Sequence, residues 1–192
     1  MNIKKLGIIF LSLIFGANLL YAKGAKSQSA SGDCSFRETG EVRINIPAFP
    51  HPTLTELQEK FSWVTSIESD TSPTEAVTLT LGTLLCPDEE RITAEEYWYR
   101  RVSLSGILGY QQLQWLVDHQ NEYPGLKGSL KRILFIHGSS LVVVAGKDPE
   151  HLFRHFPELE RDKKKNSWYM GWHFLGDGLS KRGRIAISRK PS

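Results

Sequence analysis

The run from Arg132 to Gly146 (RILFIHGSSLVVVAG) constrains the fold of this chain more than any other stretch. It is apolar and rich in β-branched residues, and Gly138-Ser139 divides it. Gly followed by a small polar residue between two such runs predicts a two-residue hairpin loop. That register sets His137 opposite Ser140, Ile136 opposite Leu141, Phe135 opposite Val142 and Leu134 opposite Val143. Both faces of the ribbon are then apolar. The hairpin is therefore expected in the middle of a sheet that is covered on both sides.

What can precede and follow that sheet is bounded by the start of the chain. Lys4 and Lys5 form a positive segment, Leu6 to Phe15 an apolar one, and Ala22 is a small residue suited to cleavage. This is the pattern of a secretory signal peptide, and its apolar part is short for a membrane span. Cleavage after Ala22 would leave 170 of the 192 residues, enough for one domain with a real core. Residues 23–33 are small and polar and read as a disordered linker. Residues 34–192 read as a single α+β domain. No second apolar run of spanning length follows, so no transmembrane segment is expected in the mature chain. The expected location is periplasmic or secreted.

Cys34 and Cys86 are the only cysteines. An even count behind an export signal predicts a disulfide between them. Closing so long a loop stabilises by on the order of 4 kcal/mol in the chain-entropy model. The chain has no Cys-x-x-Cys motif, which argues against a thiol oxidoreductase.

Periodicity supplies the other elements. Glu41 to Ile46 alternates as a half-buried strand. Thr53 and Glu56 form a capping box for a helix over 54–67, with Leu54, Leu57, Phe61 and Val64 on its apolar side. Val77, Leu79 and Leu81 share a strand face. Thr93 and Glu96 cap a helix carrying Tyr97, and Tyr110 to His119 forms another. Asp148-Pro149 reads as the start of a short helix with Leu152, Phe153 and Phe156 apolar and Pro157 as its stop. Trp168, Met170, Trp172 and Phe174 lie on one face of a strand, Tyr169 and His173 on the other. Gly183 to Arg189 is the last strand. The order β-α-β-α-α-β-β-α-β-β predicts a mainly antiparallel sheet of about six strands with helices packed on it.

Five groupings bear on chemistry. His151 and His155, at i and i+4 of the expected helix, have a spacing that chelates a divalent metal. A catalytic site needs a third ligand, for which His137 and His173 are the available imidazoles, though nothing in the sequence brings them near. The glutamate of a His-Glu-x-x-His motif is replaced by Leu152. His137 opposite Ser140 resembles a base–nucleophile pair, but no Gly-x-Ser-x-Gly elbow surrounds either serine. The carboxylates of Asp88-Glu89-Glu90 and Glu95-Glu96 fit loop and helix-start roles. Gly176-Asp177-Gly178 has neither the spacing nor the following helix of a phosphate loop, and no cofactor is implied.

The fifth grouping is the C-terminal end. Residues 23–160 hold 13 basic and 19 acidic side chains, and residues 161–192 hold 9 and 2. Lys163, Lys164, Lys165, Lys181, Arg182 and Arg184 interleave with Trp168, Tyr169 and Trp172. Basic groups attract anionic polymers, and aromatic rings stack on sugars or bases. Export makes nucleic acid an unexpected partner and points to an envelope component or another exported protein. The favoured reading is thus a non-enzymatic, exported binding or assembly protein. A small extracytoplasmic metal-dependent hydrolase using His151 and His155 is the alternative, and an inhibitor or immunity-type protein is a third reading.

Overall fold

Alternating segments, capped segments and proline stops lay out ten strands and four α-helices among the described residues. These are residues 36–128, 130, 133, 135–139, 141–145 and 152–189 of a computed structural model. In order they are β1 (Arg37–Ile46), α1 (Leu54–Lys60), β2 (Val64–Ser69), β3 (Val77–Thr83), β4 (Arg91–Ile92), α2 (Ala94–Val102), α3 (Tyr110–Asp118), α4 (Pro124–Gly128), β5 (Phe135–His137), β6 (Leu141–Ala145), β7 (Leu152–Asp162), β8 (Ser167–Phe174), β9 (Leu179–Ser180) and β10 (Gly183–Arg189). The architecture is α+β, as expected, with a mixed, mostly antiparallel sheet. The sheet has eight strands rather than about six, and β4 and β9 form a separate ribbon. The signal-peptide segment, Cys34 and His151 lie outside the described residues, and so does the expected bridge from Cys34 to Cys86.

The central hairpin does not form. β5 pairs antiparallel with β7 (Phe135 with Glu160, His137 with Glu158), and β6 also pairs antiparallel with β7 (Val142 with His155, Val144 with Phe153). The other edge of β7 is taken by β8 from His155 to Asp162. β5 and β6 therefore lie in line along one edge of β7, as two pieces of one interrupted strand. Gly138 is there because neighbours crowd it, not because the chain turns. A Cβ on it would lie 2.8 Å from Leu113 Cδ1 and 2.9 Å from the Leu108 carbonyl oxygen. At the interruption the Gly138 N–H donates to Pro157 and the Ser139 N–H to Leu108.

Residues 148–151 lie outside the described residues, and the helix expected from Asp148 is overturned from Leu152 on, since Leu152–Asp162 is a strand. Pro157 does not stop it. Its carbonyl faces Gly138, so its missing N–H faces the one place where the β5–β6 ladder is broken. The helix expected over 54–67 ends at Lys60, and β2 begins at Val64. Val64, Thr65 and Ile67 are β-branched and find a partner strand in β6. The capping box at Thr53 and Glu56 is present, and so is the Thr93 cap of α2.

The register of β7 and β8 divides the sheet into two unlike faces. Ile136, Leu159, Trp168 and Met170 lie on one, packed with Leu113 and Leu116 of α3 and Leu126 of α4. A fully buried leucine contributes about 1.5–3 kcal/mol relative to an exposed one, so this layer anchors the fold. The other face carries His137, Phe156, Glu158 and His173. Tyr97 of α2, Ile92 of β4 and Leu179 of β9 close over Phe156 there in a second core.

Candidate metal centre

Strand pairing assembles a polar group inside that second core. His137 and Glu158 are direct cross-strand partners. His173 pairs with Phe156 and Glu158 with Gly171, which makes His173 the diagonal neighbour of Glu158 on the same face. Glu158 Oε2 lies 3.5 Å from His137 Nε2 and 3.2 Å from His173 Nδ1. The three ligand-type atoms all fall within 4.8 Å of one another. The side chains of His137 and Glu158 are 2% and 5% exposed, and that of His173 is 15% exposed.

Each imidazole is held by its other nitrogen. His137 Nδ1 is 2.9 Å from the Tyr97 hydroxyl. His173 Nε2 donates to the Gly178 carbonyl at 3.1 Å. Gly178 has φ +70°, and a Cβ there would sit 2.3 Å from the Ile92 carbonyl oxygen. The position admits glycine alone, which fixes the direction of the carbonyl.

These anchors decide where the protons are. A carbonyl only accepts, so His173 carries a hydrogen on Nε2, and in the neutral ring Nδ1 holds a lone pair. That lone pair faces Glu158 Oε2. Oε2 is buried and makes no hydrogen bond of regular geometry, with His173 Nδ1 3.2 Å away. Burial pushes the Glu158 carboxyl up from its ordinary value. Burial also drives His137 well below the usual histidine range, helped by His173 and Arg101. A neutral imidazole is the form that binds a metal.

Two imidazole nitrogens and one carboxylate oxygen within 4.8 Å of one another form a donor set of the kind that would hold zinc or a similar divalent ion. The Tyr97 and Gly178 contacts are the outer partners that orient metal-binding histidines. Among the described residues this is the only such cluster of three.

The residues expected from the sequence are distributed otherwise. His155 lies on strand β7 rather than on the expected helix, and His151 lies outside the described residues. Trp168 is 2% exposed, and its indole N–H donates to the Leu126 carbonyl at 2.9 Å. It is a core residue and leaves the expected binding surface. Trp172 is half-buried and stacks on Tyr110 with ring centroids 5.9 Å apart. Tyr169 is exposed, and its hydroxyl donates to Glu160, which pushes it up to about 12. Lys181 pairs with Glu90, Arg184 donates to the carbonyls of Lys181 and Gly183, and Arg182 is exposed. Lys163, Lys164 and Lys165 occupy the turn between β7 and β8 and line an open hollow with Tyr169, Phe135 and Glu160.

Sequence reasoning names His137 and His173 only as spare ligands and passes over Glu158. The usable signal is the alternation of 167–174, which places His173 opposite the core tryptophan. No family model, no curated protein and no solved structure matches this chain.

Proposed function

We propose that this is an exported metal-dependent hydrolase in which His137, Glu158 and His173 fill the role expected of His151 and His155. The observation that carries the reading is the Glu158 carboxylate oxygen, buried and without a hydrogen bond between two oriented imidazole nitrogens. A bound divalent ion supplies Lewis acidity and lowers the pKa of a water to about 7. The residues of the chain provide the rest. His137 and His173 would hold the ion through Nε2 and Nδ1, Glu158 would offset its charge, and Tyr97 fixes the His137 ring. Export and the Cys34–Cys86 bridge belong to the same proposal, and Cys86 is not a free thiol.

The test is metal analysis of the protein purified from the extracytoplasmic fraction without chelator. The expected result is about one divalent metal ion per chain, absent from the His137→Ala/His173→Ala variant. Hydrolysis of p-nitrophenyl esters should be lost on chelation and restored by zinc. A chain that arrives metal-free and takes up no zinc when titrated overturns the reading.

A second reading, an exported protein that binds an anionic envelope component, is favoured by the hollow that groups three lysines with the exposed ring of Tyr169. It predicts retention on anionic glycan that weakens steeply with salt. Unchanged retention after charge reversal of Lys163, Lys164 and Lys165 removes it.

A further inference from the structure

Helix α2 turns a second ionisable side chain inward one residue past Arg100. Arg101 is 5% exposed. Its guanidinium lies over the Phe156 ring, 4.5 Å from the centroid, and Nη2 donates to the Gly138 carbonyl. Its Nε has no partner, and among the described residues no carboxylate pairs with it. Ser139 Oγ is likewise buried and unpartnered, on a residue 6% exposed.

Arg101 and Ser139 both line one cavity of about 400 Å³. Trp98, Val102, Leu104 and Ile107 give its walls an apolar character, Ser69, Thr71 and Ser105 add hydroxyls, and among the described residues no aspartate or glutamate borders it. A cation taken out of water with no counter-charge is costly to keep. The cavity has the size of a small-molecule site.

We propose that this cavity binds a small organic monoanion, with its carboxylate at Arg101 and Ser139 and its apolar body against Trp98, Leu104 and Ile107. Among the described residues a single cation lines the space, which fits a single negative charge. The two oxygens of a carboxylate match the guanidinium N–H and the serine hydroxyl. His137, Glu158 and His173 do not line the cavity, so the site stands independently of the metal reading.

The experiment uses the full-length exported protein stripped with EDTA and titrated calorimetrically with hexanoate and, in parallel, with hexanol. Hexanoate should bind one-to-one, and hexanol at least about tenfold more weakly. Ser139→Ala should weaken hexanoate about 5–10-fold, one hydrogen bond's worth. Arg101→Met should abolish binding. Leu104→Trp fills the half-exposed wall and should also abolish it, which keeps the test decisive if Arg101→Met does not fold. The proposal is overturned if hexanoate does not bind, if hexanol binds as well as hexanoate, or if Ser139→Ala and Leu104→Trp both bind hexanoate undiminished.

Discussion

Glu158 Oε2 stands 3.2 Å from Nδ1 of His173, a ring whose hydrogen is already committed through Nε2 to the Gly178 carbonyl. In the neutral ring, two lone pairs therefore confront each other in a buried space. A positive charge placed between them removes the repulsion, and a bound cation or a proton is the species that does so. In the absence of either, the centre destabilises the fold that holds it.

Glu158→Gln tests that balance. The amide keeps the shape and can donate a hydrogen to His173 Nδ1. In chelator the variant should be more stable than the parent by about 1 kcal/mol. In excess zinc the order should reverse, because the variant loses the anionic ligand. Thermal melts of both proteins with EDTA and with zinc measure this, and a variant less stable under both conditions contradicts it.

Tyr97→Phe removes only a hydroxyl, yet it should act on the metal. His137 Nδ1 loses its partner, which costs about 1–3 kcal/mol in a buried site. Zinc affinity should fall about 10–100-fold, the usual effect of losing an outer partner of a metal-binding histidine. Competition with a chromophoric chelator gives the affinity, and circular dichroism should show an unchanged fold.

Glu89 provides the acid-dependent element. Arg100 grips its carboxylate from two guanidinium nitrogens at 2.6 and 2.8 Å, and this holds the carboxyl below its ordinary value. A depressed folded value means that the contribution is fully present above the unfolded carboxyl value of about 4.3 and is lost as pH falls through the lower folded value. Glu89→Gln should therefore be about 1 kcal/mol less stable than the parent at pH 7, with the gap closing in acid. Urea unfolding at pH 7, 5 and 3 follows it, and a gap that persists unchanged at pH 3 contradicts the assignment.

Gly138 distinguishes the interrupted strand from a hairpin. At a hairpin loop, Gly138→Asn would be accepted, because asparagine suits such turns. Against Leu113, Leu108 and Pro157, even Gly138→Ala should cost about 1–3 kcal/mol, and Gly138→Asn more. Denaturant midpoints of the two variants decide between the pictures.

The legible parts of the fold are those written in local chemistry. Thr53 with Glu56 and Thr93 mark helix starts that form, and the alternation from Trp168 to Phe174 separates core from second face correctly. The misread parts depend on partners far along the chain. Leu152, Phe153 and Phe156 suit a helix as well as a strand, and only β6 and β8 decide the matter. Glu158 and Glu160 also fall on the inward-turned face of β7, which hides its alternation. The interruption in the strand pattern is thus the candidate site itself, where local rules and the fold disagree. Gly138 misled for a related reason, since a glycine required by close packing reads from sequence as one required by a turn. The basic C-terminal run was visible in composition, but composition does not tell a stacking tryptophan from the interior one at Trp168.

β10 lies between β3 and β5, antiparallel to the first and parallel to the second. β10 is therefore the strand that joins the β1–β3 part of the sheet to the β5–β7 part. Without its pairing, β3 and β5 each lack a neighbour, so a substitution that breaks β10 separates two parts of the sheet rather than trimming an edge.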